Sequence, residues 1–171
     1  QLLRPIFENS EPDKPIRVWC AGCATGEEVY SLAMLCHEHA DRSSHRIPIQ
    51  VFATDISSDA LSTAREGLYP ESVVADVNAS RLQQFFHKSG NHYQVSRRLR
   101  ESIVFAEQNV LSHPPFSQLD LVVCRNLMIY LDRPAQRRVL DVFQFALKEG
   151  CGLFLGSSES TGDASRYFAV V

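Results

Sequence analysis

No apolar run in the sequence approaches the about 20 residues that a membrane-crossing helix needs. The first residues, QLLRPIFENSEPDKP, lack the basic-then-apolar plan of a secretion signal. With neither feature, a cytoplasmic location is expected. Positive charge is not in excess: 17 Lys and Arg stand against 20 Asp and Glu, for a net charge of −3. Nothing electrostatic therefore points to nucleic acid or an anionic membrane as a partner. Cysteine is sparse and odd in number (Cys20, Cys23, Cys36, Cys124 and Cys151), which argues against a disulfide framework. Cys20 and Cys23 form one CxxC, but no second pair completes a zinc site. Cys36-His37-Glu38-His39 is not HExxH, and its histidines are expected to be exposed near a helix end. Internal repeats and low-complexity segments are also lacking.

What is present is the balance of an ordinary globular domain: 171 residues, 44% apolar and 22% charged. The sequence opens on Gln1 and closes on a strand-like Phe168-Ala169-Val170-Val171, so a piece of a longer chain is expected. After the proline-bounded Glu11–Pro15, strand-like and helix-like segments alternate. Ile16–Cys20 reads as a buried strand, and Glu27–Ala40 as a helix with Val29, Leu32, Ala33 and Cys36 on one face. Ile49–Thr54 reads as a second strand ending at Asp55. A helix capped by Ser57-Ser58 runs to Glu66 and stops at Gly67. Asn78 or Ser80 starts another helix carrying Leu82, Phe85 and Phe86. His92–Ser96 and Ile103–Ala106 are strand-like, and Leu119–Cys124 suits a central parallel strand. Pro134 opens a helix expected through Lys148 and closed by Gly150, followed by a strand over Gly152–Gly156. The alternation predicts an α/β domain with a mostly parallel sheet flanked by helices.

In such sheets, ligands bind beyond the carboxyl ends of the strands, where the strand order reverses. After the first strand comes Ala21-Gly22-Cys23-Ala24-Thr25-Gly26, whose small side chains let a ligand approach the backbone. The loop has neither the lysine of a P-loop nor the spacing of GxGxxG. Glu27 and Glu28 occupy the first helical turn, where they favour the helix dipole but repel a pyrophosphate. They suit a cation-bearing ligand, and S-adenosylmethionine carries both a sulfonium and an ammonium. Asp55, ending the second strand, can accept hydrogen bonds from two ribose hydroxyls or serve as a turn former. Asn109-Val110 follows a third strand-like run and is placed to meet an adenine edge. Arg125-Asn126 ends the most apolar strand, with Tyr130 one turn on. Unpaired polar groups there are costly for packing alone. Arg97, Arg98 and Arg100 form a basic patch read as a solvated face.

Four motifs in order, RVWCAGCATGEEVYSLAM, FATDISSDAL with AREGLYP, CRNLMIYLD and LFLGSSES, resemble the CheR-type chemoreceptor glutamate O-methyltransferases over residues 16–159. PFSQLDLVVCRNLMIYL and ADVNASRLQQFF look especially like hybrid proteins that join CheR-type and CheB-type domains to sensory modules. The resemblance implies a Rossmann-like S-adenosylmethionine-dependent fold over residues 16–171. It also implies a small antiparallel β-subdomain inserted near residues 90–107, with residues 1–15 as linker or helix remnant.

By the same resemblance, Gly22, Cys23, Thr25, Gly26 and Glu27 line the cofactor, the last two polar side chains at its methionine portion. Asp55 takes the ribose, Asn109 and Val110 border the adenine, and Arg125 and Asn126 also line the cofactor. Tyr130 lies close to the transferred methyl, with Asn126 its partner in orienting the acceptor. The implied reaction forms glutamate methyl esters on a chemoreceptor-like helical protein, with S-adenosylhomocysteine as product and no metal. The helical domain that precedes this fold in the family is not seen, so weak methylation by this fragment alone is expected. Ser89-Gly90-Asn91-His92 is shorter than the loop of receptor-tethering members, so no binding of a receptor-tail pentapeptide is expected. Two other readings stay open: a module that binds the cofactor without turning it over, and a nicotinamide-dependent dehydrogenase.

Overall fold

A computed structural model describes residues 2–159 and 168–169. Ser160, the last residue of LFLGSSES, and the final Val170-Val171 lie outside the described residues. Among the described residues there are eight strands: β1 (Ile16–Ala21), β2 (Ile49–Asp55), β3 (Leu68–Pro70), β4 (Phe86–Ser89), β5 (His92–Val95), β6 (Ile103–Glu107), β7 (Leu119–Cys124) and β8 (Leu147–Leu155). The helices are α1 (Leu3–Glu8), α2 (Glu27–Ala40), α3 (Ser58–Glu66), α4 (Ala79–Phe85), α5 (Arg97–Glu101) and α6 (Arg133–Ala146).

Five strands form a parallel sheet in the order β6-β2-β1-β7-β8. Period-two alternation sorts its side chains onto two cores. Val18, Cys20, Val51, Ala53, Leu121 and Val123 face a core shared with α1, α2 and α3. Trp19, Ala21, Phe52, Val122 and Cys124 face the other, filled by Val139, Leu140, Phe143 and Ala146 of α6. Trp19 anchors that second core, fully buried and edge-on to both Phe116 and Phe143 at 5.3 Å. Its indole N–H donates to Thr54 Oγ1 at 2.9 Å, so burial leaves no orphaned donor. The segment before β1 joins the fold, since Phe7 of α1 is buried in the first core and stacks on His39 at 5.2 Å.

Local signals fix several boundaries. The Ser57 hydroxyl accepts the Ala60 N–H at 3.2 Å, and Gly67 ends α3 in the left-handed region at φ +59°. Asn78 caps α4 through the Arg81 N–H, and Asp132 caps α6 through the Ala135 N–H, both at 2.9 Å.

Four expectations are corrected. The small antiparallel sheet, order β3-β5-β4, draws its strands from residues 68–95 rather than 90–107, and Ile103–Glu107 is an edge strand of the main sheet. Phe85 and Phe86 are both buried because the chain switches from helix to strand between them, so one apolar pair serves two elements. The last helix ends at Ala146, not Lys148. Leu147 already pairs with Leu119, and the Lys148 ammonium reaches Asp120 at 2.6 Å from within β8. Gly150 (φ +77°) therefore lies inside β8, at the register shift, and terminates no helix. Finally, His37 is buried rather than exposed, at 8% of its accessible area. Burial and the nearby Arg98 charge push its pKa down to about 4, against the opposing pull of Asp41.

Candidate active site

The strand order reverses between β1 and β7: from β1 the chain moves outward through β2 and β6, then returns to β7 on the other side. The expected site lies beyond that switch point. The loop after β1 is held against the end of β2, where the Gly22 and Cys23 N–H groups both donate to Thr54 O, at 2.8 and 2.9 Å. Gly22 (φ +75°) and Gly26 (φ +95°) take backbone conformations that suit glycine. At Gly26 a Cβ would also lie 2.9 Å from Ala64 Cβ and 3.0 Å from the Tyr69 hydroxyl, so the position is closed sterically as well.

Asp55 joins two segments. One carboxylate oxygen accepts the Ala24 N–H at 2.8 Å, and the other accepts the Ser57 N–H at 2.9 Å. Each oxygen keeps a free lone-pair direction, so both the turn-forming role and hydroxyl recognition are open to the same side chain. Ala24, a non-glycine at φ +45°, is held in the left-handed region by that bond. The Thr25 hydroxyl donates to the Glu27 carboxylate at 2.7 Å.

Across the switch point, Arg125 pairs with Glu28 at 3.0 Å, tying the loop after β7 to the start of α2. A Cβ on Gly22 would come 2.6 Å from Leu127 Cδ1, so the two loops are in contact. Asn126 sits at φ +57°, a conformation asparagine tolerates better than most residues. Next to it, the Leu127 N–H donates to the buried Glu159 carboxylate at 3.2 Å. Asn109, after β6, is exposed, and its side-chain oxygen accepts the Leu111 N–H at 3.0 Å. Val110 is turned inward and packs in the second core with Trp19 and Phe52. Tyr130 is brought to the same end of the sheet on the turn Met128–Tyr130, yet stands 81% exposed.

The structure thus gathers Gly22, Cys23, Thr25, Gly26, Glu27, Asp55, Arg125 and Asn126 around one switch point. Asn109 lies at the flank, with Val110 behind it and Tyr130 at the rim. Several neighbours escaped the sequence reading. Ile56, directly after Asp55, leaves 73% of an apolar side chain exposed, a signal visible only once Asp55 is placed at a strand end. Gln108 ties β6 to the site by donating its backbone N–H to Asp55 O at 2.9 Å, a backbone bond that carries no sequence signature. Tyr69 donates its hydroxyl to Thr25 O at 2.8 Å from a strand distant in sequence.

The cysteines are free thiols. Burial, reinforced by the Asp55 charge, pushes Cys23 up to about 12, so it stays protonated at neutral pH. Among the described residues, no three His, Cys, Asp or Glu side chains cluster as a metal site. Nor is any helix among them long and apolar enough to cross a membrane.

The sheet thus carries a small-residue loop at its switch point, an acidic residue ending β2 and two carboxylates opening α2. The chain belongs to the family described as CheR methyltransferase, SAM binding domain, which matches residues 1–171. It is 39% identical, over its whole length, to an uncharacterized 104.1 kDa protein of Rhodobacter capsulatus, of which it covers 18%. It is 35% identical over 156 residues to a chemotaxis protein methyltransferase of Borreliella burgdorferi, covering 90% of this chain and 54% of that protein. The chain therefore spans about half the length of that methyltransferase and less than a fifth of the Rhodobacter protein. Among solved structures, the glycopeptide N-methyltransferase MtfA in complex with sinefungin superposes over 90% of this chain and 46% of its own. The TM-score is 0.56 and the identity 13%, a likeness of fold alone.

Proposed function

We propose that the protein to which this chain belongs transfers a methyl group from S-adenosylmethionine to glutamate side chains of a chemoreceptor-like helical protein. The observation that carries the reading is the junction at Asp55. Its carboxylate clamps the loop after β1 while keeping acceptor capacity on both oxygens, at the end of the sheet where Glu27 adds a second carboxylate and Glu28 is paired with Arg125.

In this reading Asp55 takes the ribose hydroxyls, and Gly22, Cys23 and Gly26 admit the cofactor close to the backbone. Thr25 and Glu27 meet its methionine portion, Asn109 and Val110 border the adenine, and Arg125 and Asn126 close the opposite wall. S-adenosylmethionine supplies an electrophilic methyl group on a sulfonium. A glutamate carboxylate is already ionised at neutral pH, so no general base is required. The protein's task reduces to aligning the acceptor and excluding water from it. Tyr130, with its exposed hydroxyl, and Asn126 are assigned to that alignment. The acceptor is expected in the same compartment as the enzyme, the cytoplasm.

The test is transfer of labelled methyl from S-adenosylmethionine to receptor glutamates by the whole protein, read as base-labile esters. Tyr130→Phe is expected to lower turnover by about ten-fold, or about 1.4 kcal/mol of barrier, with cofactor affinity unchanged. Unchanged turnover would remove Tyr130 from the mechanism, and absence of any base-labile label would refute the reaction.

A further inference from the structure

We propose that Tyr69, on the first strand of the small antiparallel sheet, is a positioning residue that fixes the Thr25–Gly26 peptide of the cofactor loop. This rests on the reading that the loop receives the cofactor. The loop is anchored in two halves. Residues 22–24 hang from the end of β2, through Thr54 O and the Asp55 carboxylate. The Thr25–Gly26 peptide is pinned at both of its own ends: its carbonyl accepts the Tyr69 hydroxyl at 2.8 Å, and its N–H donates to Cys23 O at 3.0 Å. The second of these bonds is internal to the loop, so Tyr69 supplies the hold from outside. Without it, the peptide could rotate about Thr25 ψ and Gly26 φ, and glycine opposes such a rotation least.

The tyrosine is built to stay in place. It is 7% exposed, and it packs edge-on against Tyr30 with ring centroids 6.0 Å apart. The Tyr30 hydroxyl itself makes no bond to the loop and donates instead to Ala64 O of α3 at 2.7 Å. Burial, helped by Glu27 and Tyr30, raises the Tyr69 phenol far above its ordinary range, so it remains a donor across neutral pH. Tyr69 also pairs with Tyr93 in the small sheet, which places that sheet one hydrogen bond from the cofactor loop.

Two single-hydroxyl deletions separate positioning from stability. Tyr69→Phe removes the bond to the loop, and Tyr30→Phe removes a comparably buried bond to a helix carbonyl. In calorimetric titrations with S-adenosylhomocysteine, Tyr69→Phe is expected to weaken binding about five-fold, the factor equivalent to one hydrogen bond of about 1 kcal/mol. Tyr30→Phe is expected to bind as the unmodified chain does. In the ligand-free chain, exchange of the Gly26 amide is expected to accelerate in Tyr69→Phe and not in Tyr30→Phe. Unchanged affinity and exchange in Tyr69→Phe would overturn the proposal, as would equal losses in both variants. A Tyr69→Phe chain that fails to fold while Tyr30→Phe folds would also overturn it, since the hydroxyl would then serve stability alone. If the unmodified chain does not bind S-adenosylhomocysteine, the cofactor reading fails, and the exchange measurement still decides the role of Tyr69 in the loop.

Discussion

Each oxygen of the Asp55 carboxylate already accepts one backbone N–H, so this residue helps build the loop it is proposed to serve. The turn-forming and ligand-binding readings, which look exclusive in the sequence, are compatible because a carboxylate offers about four acceptor directions. His37 teaches the opposite lesson. Its neighbours His39 and Glu38 give the segment a polar look, yet it sits on the α2 face turned toward α5 and is buried neutral. An unfolded histidine titrates near 6.5, whereas the folded one titrates at about 4. Below pH 6.5 the unfolded chain takes up a proton that the folded chain refuses, so stability falls as pH drops from about 6.5 toward 4. Arg98 and Asp41 are the charges that face it, and they form an ion pair with each other. Thermal unfolding at pH 7 and pH 5 checks this. The melting temperature is expected to fall at pH 5, and to fall less in His37→Gln. An equal drop in both chains would assign the acid sensitivity elsewhere.

At the scale of elements, the parts that β1, α2, β2, α3 and β7 contribute were legible because each carries two agreeing signals, such as an apolar run with a cap or a glycine stop. Glu27–Ala40 and Leu119–Cys124 match the expected bounds. The bounds of the small sheet are not legible in the sequence, because its strands are only three or four residues long and mostly exposed. The last helix ends before Leu147 and Lys148, although both are good helix formers, because tertiary pairing with β7 overrides that propensity. In β4–β5, Ser89 pairs directly with His92 across Gly90 and Asn91, with Gly90 at φ +58°. So tight a hairpin offers little loop for capturing a peptide. A pulldown with a receptor-tail pentapeptide is expected to retain none of this chain above background, and retention that free peptide competes away would contradict this.

Taken whole, the molecule places on one end of one sheet the residues that the sequence offered as scattered motifs, from Gly22 to Tyr130. The order β6-β2-β1-β7-β8 brings the loops after β1 and β7 together, and Arg125 with Glu28 joins them. What the sequence could not supply were the contacts made by backbone groups, among them Thr54 O, Thr25 O and the Leu127 N–H, because a carbonyl or amide leaves no trace in residue identity. The central claim is that this assembled end holds S-adenosylmethionine through Asp55. It is tested most directly by calorimetric titration of the chain with S-adenosylhomocysteine, beside Asp55→Ala and an NADH control. Saturable one-to-one binding is expected for the unmodified chain, together with no response to NADH. In Asp55→Ala the affinity is expected to fall by about ten- to a hundred-fold, the scale of one or two hydrogen bonds to a charged group. Binding that Asp55→Ala leaves unchanged in a folded chain, or a response to NADH alone, would contradict the account.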